Sequence, residues 1–164
     1  MDKQKPDFES FLREVDYAHR GFIEQLNEML IQNGCSLKVS TAKNGYLVSY
    51  SDSSKKVILN FVFRKIGLIV RIYGDCLNEY LSFLSSLPDS MDKIIKKAPD
   101  CKRLLDLKDC NPKCRMGYSF VLEGVHFQKC RYNCFMLHVN GENNPFIQTF
   151  LENELESRRK LEAI

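Results

Sequence analysis

The spacing of apolar residues in this chain switches repeatedly between a helical and a strand period, and this constrains the fold more than any other feature. Over residues 8–30, Phe8, Phe11, Leu12, Val15, Ala18, Phe22, Leu26, Met29 and Leu30 recur at three- and four-residue steps, which is one stripe of a helix. Asp7 fits the cap at its start and Gly34 the stop at its end, so a single long helix is expected here. Gly21 lies inside that stripe, at about 1 kcal/mol relative to alanine.

The period then falls to two. Strands are expected over 35–40, 46–50, 57–63 and 68–72, joined by a loop at 41–45, a polar turn at 51–56 and a short turn at 65–67. Helical spacing returns with Asp75 as cap for Leu77, Tyr80, Leu81 and Leu84. It restarts after Pro88 and again after Pro99, because a proline is harmless at the first positions of a helix. Strand spacing reappears over 117–122 and 125–130 around the turn Glu123-Gly124. A second turn at 131–133 leads to a strand carrying Phe135, Leu137 and Val139, and Asn144-Pro145 opens a final helix.

This order predicts an α+β fold in one domain over 1–164: an antiparallel sheet built from two β-meander-plus-helix units, with helices packed on one face. The halves look alike. Gly45-Tyr46 and Gly117-Tyr118 each open a meander, and Leu68 to Gly74 parallels Phe135 to Gly141. An internal duplication with pseudo-repeats over 7–87 and 89–160 is the resulting expectation. A groove between the halves would be the natural ligand position.

Composition narrows the class. No apolar run approaches the roughly 20 residues of a membrane span, and Met1 to Pro6 lead into no apolar signal core. A cytoplasmic protein without a membrane role is expected. The 24 Lys and Arg against 21 Asp and Glu give a net charge of +3, which selects no partner by bulk charge.

The 7 cysteines stand out, since disulfides are rare in the cytosol. Cys110 and Cys114 form one pair and Cys130 and Cys134 another, separated by fifteen residues. The arrangement resembles the two knuckles of a zinc ribbon, with a structural zinc on four thiolates and Cys101 as a substitute ligand. It requires residues 131–133 to be a turn. Were residues 125–139 one straight strand, Cys130 and Cys134 would stand about 13 Å apart at roughly 3.3 Å per residue. The alternative is ordinary buried thiols, the reading also given to Cys35 and Cys76.

Three functions follow. The leading one is a non-enzymatic binding module for a small molecule or a protein, steadied by the zinc. It rests on the missing nucleotide-loop, nucleophile-elbow and zinc-protease signatures. The second is a nucleic-acid-associated protein, less favoured, using a basic surface over 93–131 with Lys102, Arg103, Lys113, Arg115, Lys129 and Arg131 beside Tyr118 and Tyr132. The third is a thiol enzyme with Cys134 or Cys130 as nucleophile and His138 as partner. His19 reads as a boundary residue of the first helix, and His126 as a strand residue near the cysteines.

Overall fold

The computed structural model describes residues 4–163. Its elements are α1 (Phe8–Glu14), α2 (Tyr17–Gln32), β1 (Ser36–Ala42), β2 (Gly45–Ser51), β3 (Val57–Arg64) and β4 (Gly67–Ile72). A 3-10 turn (Leu77–Glu79) follows, then α3 (Leu81–Leu84), α4 (Asp89–Lys97) and α5 (Lys102–Leu105). The chain closes with β5 (Tyr118–Leu122), β6 (Val125–Lys129), β7 (Met136–His138) and α6 (Asn144–Glu162). One antiparallel sheet has the order β1-β2-β3-β4-β7, and β5-β6 form a separate two-stranded sheet. The chain divides into two compact units, Met1–Arg71 with His138–Asn144 and Ile72–Leu137 with Pro145–Ile164. Among the described residues no helix is long and apolar enough to cross a membrane.

In the first unit the predicted single helix is two. Asp16 ends the run by accepting the Ala18 N–H at 3.2 Å and starts α2 afresh. Arg20 folds back to donate to the Val15 and Arg13 carbonyls at 2.9 and 3.0 Å, which satisfies acceptors freed at the end of α1. Val15 is buried at the bend, and this redirects the apolar stripe so that both helices cover the sheet. Phe11 stacks on Phe61 at 5.5 Å and meets Phe63 edge-on at 5.7 Å. Tyr50 lies edge-on to Phe61, and its hydroxyl donates to Asn27 Oδ1 at 2.6 Å. Val48 pairs with Phe61 and Tyr50 with Leu59, all fully buried, as the period of two requires. Each such side chain stabilises the fold by about 1.5–3 kcal/mol relative to exposure. The loop after β1 is tighter than expected: Ala42 pairs with Gly45, leaving Lys43 and Asn44 as a two-residue connection with Gly45 at φ +102°.

In the second unit the hairpin is as predicted. Glu123 and Gly124 both have positive φ, 50° and 79°, which a two-residue turn matching strand twist requires. The second meander, however, does not form. Cys101 N donates to Gln128 O and Cys130 N to Pro99 O, both at 2.8 Å, so residues 99–101 occupy the free edge of β6. Residues 131–134 then make a helical turn, with Asn133 N and Cys134 N on the Cys130 carbonyl, and β7 goes to β4 instead. Ile72 N to Phe135 O and Val139 N to Leu68 O, each 3.1 Å, carry that pairing. The expected single sheet of two like meanders is therefore corrected to a five-stranded sheet and a hairpin, and duplication is not shown. Phe135 anchors this unit between Phe150 at 5.0 Å and Tyr118 at 5.1 Å.

Candidate functional site

The cysteine turns form where the sequence places them, but the thiols do not gather. Cys114 N donates to Asn111 O at 3.0 Å, closing the first turn, and Cys134 N to Cys130 O closes the second. Cys110 is exposed, Cys114 and Cys130 are half-buried, and Cys134 is fully buried. Cys101, the candidate substitute ligand, accepts the Gly117 N–H at 3.1 Å. Among the described residues no three His, Cys, Asp or Glu side chains are grouped as metal ligands, so Cys110, Cys114, Cys130 and Cys134 do not present a tetrahedral set. Burial pushes the Cys134 thiol well above its ordinary value, the opposite of what an activated thiolate needs. His126 is taken up by the Ser119 hydroxyl at 2.7 Å on the hairpin surface.

The basic residues separate in the same way. Lys102 and Lys113 are exposed. Arg103 donates to the Cys114 carbonyl. Lys129 is buried, with its ammonium on the Lys96 and Ala98 carbonyls at 2.9 and 2.8 Å. It closes the C-terminal end of α4, where free carbonyls attract a cation. Arg131 is also buried. It donates to Asp75 Oδ1, with its guanidinium carbon 4.9 Å from the Tyr73 ring centroid and 5.6 Å from that of Tyr118. Of the six residues expected to form a basic surface over 93–131, Lys129 and Arg131 are buried and their charged ends are engaged inside the second unit.

Asp75, itself partly open to solvent, is where the buried arginines meet and not the expected helix cap, and the 3-10 turn at Leu77 starts without a side-chain cap. Arg131 holds one carboxylate oxygen, while Arg115 and Arg158 approach the other at 3.4 and 3.3 Å. Burial raises the Asp75 carboxyl, but the Arg131 hydrogen bond and the charges of Arg131, Arg158 and Arg115 outweigh it and hold the pKa below the ordinary value. Arg158 reaches on to Glu154 at 2.9 Å. Fully buried Glu154 accepts from Tyr80 Oη and from Cys76 N at 3.1 Å. Burial and then the Glu154 charge push the Cys76 thiol up to about 11. The only sequence trace of this network is the four-residue step from Glu154 to Arg158. Its charged groups are paired with one another, so it reads as a structural lock.

The unabsorbed chemistry lies in the first unit. A cleft of about 310 Å³ is lined by Glu14, Asp16 and His19 from the α1–α2 elbow, by Phe63, Ile66, Gly67 and Leu68 around the β3–β4 turn, and by His138 and Val139. Leu68 and Val139 are buried and form its apolar base. The two carboxylates are exposed and both imidazoles half-buried, so the polar groups stand at the mouth. The break between α1 and α2 creates the site, because it brings Glu14, Asp16 and His19 onto one elbow. A larger cavity of about 500 Å³ on the other side of the elbow is lined by Glu9, Arg13, Tyr17, Arg20 and Glu24. There Arg20 is already held by two carbonyls and the charges are of both signs. Sequence reading places His138 as a candidate but pairs it with Cys134, and it misses Glu14 and Asp16 altogether.

Comparison with protein-family models, curated proteins and solved structures returned no match.

Proposed function

We propose that this chain is a binding module for a small molecule, held in the cleft between the α1–α2 elbow, the β3–β4 turn and the end of β7. One observation carries the reading: two imidazoles and two carboxylates share the lining of one cleft of about 310 Å³ with the buried Leu68 and Val139. That volume lies at the lower end of small-ligand sites, and the lining is more polar than most, with four apolar side chains beside four polar ones that orient the guest. The basic-surface and thiol-enzyme readings draw less support, because Lys129 and Arg131 are buried and the Cys134 thiol is pushed up. A zinc is not part of the proposal, since the paired cysteines do not form a ligand group.

The test is a fragment screen followed by amide NMR on the labelled protein. Hits that shift the amides of His19, Gly67, Leu68 and Val139 support the site. A screen whose hits all map elsewhere, or that returns none, removes it.

A further inference from the structure

We infer that the outer edge of β1 docks an extended, acidic segment of a partner protein, which adds to the five-stranded sheet as a further strand. The surface is separate from the cleft, none of whose lining lies in β1. The other strand edges of this fold are covered or capped. Residues 99–101 run along β6, with Cys101 N on Gln128 O and Cys130 N on Pro99 O, both at 2.8 Å. Asn78 Nδ2 donates to the Ser119 carbonyl of β5 at 3.4 Å. β7 is three residues long, and its bonds to β4 through Phe135 O and Val139 N turn the His138 carbonyl outward. Asn143 Nδ2 takes that carbonyl at 2.9 Å. β1 has none of these devices. Its seven residues, Ser36–Ala42, contain no proline and pair with β2 in unbroken register. Among the described residues no strand lies on its other side. A long edge of outward backbone donors and acceptors is a template for another strand.

The side chains define the occupant. Leu37 and Val39 pair with the buried Tyr50 and Val48, which puts them on the same face of the sheet, yet at the edge both are only half-buried. A strand laid along β1 with an apolar residue at every second position would complete their cover. Lys38, between them, belongs to the opposite face and is exposed, as is Lys43 in the turn that follows. No Asp or Glu occurs in any strand of this sheet, whose Lys and Arg residues are Lys38, Arg64 and Arg71. α2 carries Glu24 and Glu28, but helical spacing puts these exposed residues on the side away from its buried Ile23, Leu26 and Leu30. The edge therefore favours carboxylates on the alternate positions. A second copy of the chain fits less well, because it would bring the same lysines to both sides of the seam, and like charges across a strand pair are destabilising.

Three peptides of the length of β1 decide the matter, each with blocked ends, titrated into the full chain and followed by amide NMR and hydrogen exchange. One alternates glutamate and valine, the second alternates lysine and valine, and the third is the glutamate peptide methylated at its amide nitrogens, which removes its donors. The glutamate peptide is expected to slow exchange of the β1 amides and to bind about tenfold more tightly than the lysine peptide, from cross-strand charge pairs. The methylated peptide is expected to fail. Lys38→Glu, at an exposed position, should reverse the preference between the two charged peptides. Equal binding of those two peptides, or an unchanged preference in Lys38→Glu, overturns the acidic partner. Undiminished binding of the methylated peptide overturns strand addition. A glutamate peptide that leaves the β1 amides unprotected overturns the docking edge itself. Protection of β1 that rises with protein concentration in the absence of peptide, with a dimer by light scattering, assigns the edge to a second copy and overturns the inference as well.

Discussion

Arg131 and Asp75 lie 56 residues apart in sequence and meet as an ion pair whose guanidinium is 7% exposed. Arg158 shares the same carboxylate from α6, and Glu154 continues the chain of charges to Tyr80 and Cys76. Removing Asp75 strands the buried Arg131 guanidinium, while Arg158 keeps Glu154 and the Tyr73 carbonyl.

Asp75→Asn should therefore destabilise the protein by about 3–5 kcal/mol, the usual penalty for stranding a buried charge. Arg131→Met in the same background should be markedly less than additive. Urea denaturation of the two single variants and the double variant measures this. Strict additivity would show that the pair does not interact in the folded chain.

The same group sets a pH dependence. Its folded pKa lies below the unfolded value, so the unfolded state binds protons more readily as pH falls. The contribution of Asp75 is present in full above the unfolded aspartate value, about 4, and is lost as pH drops through the folded value. Urea midpoints of the wild type and Asp75→Asn should differ at pH 7 and converge at acid pH below about 4. A difference that stays constant down to pH 3 would contradict the assignment.

Thiol reactivity should follow exposure. Cys110 should alkylate first and Cys114 and Cys130 more slowly, while Cys35, Cys76, Cys101 and Cys134 should wait for unfolding. Burial raises the pKa of both Cys76 and Cys134, which further slows them at neutral pH. Mass spectrometry of iodoacetamide-treated native protein gives the order. A Cys134 as fast as Cys110 would revive the nucleophile reading.

Gly117→Ala tests the occupied edge of β6. An added Cβ would stand 2.1 Å from the Lys129 carbonyl oxygen and 2.7 Å from Cys101 Cβ, so backbone must move. A loss of about 1–3 kcal/mol is expected, the range for overpacked sites. Thermal unfolding reads it, and a neutral variant would mean that residues 99–101 do not pack there as described.

Much of the local structure is legible in the sequence. The alternation through Val48, Tyr50, Leu59 and Phe61 places the strands and their buried face, and Glu123-Gly124 specifies its turn by backbone conformation. Pro88 and Pro145 lie at the starts of helical segments, whereas Pro99 lies on the edge of β6, ahead of α5. Two local readings fail because a competing bond wins: a local one where Asp16 recaps the first helix, and a long-range one where Asp75 takes arginines in place of a helix N-terminus. The site is only partly legible. His138 is visible as a polar strand residue, but nothing near it in sequence points to Glu14, Asp16 or His19.

What the sequence alone determined was period, turn chemistry and caps, because these depend on hydrogen bonds and steric limits within a few residues. Tertiary structure decided strand order and charge partners. Once residues 99–101 covered the edge of β6, β7 had to find another neighbour and paired with β4. Once Arg131 was buried, it required a carboxylate from a distant segment. Free edges and desolvated charges must be satisfied by whatever the fold brings near, and no local pattern encodes which groups those will be.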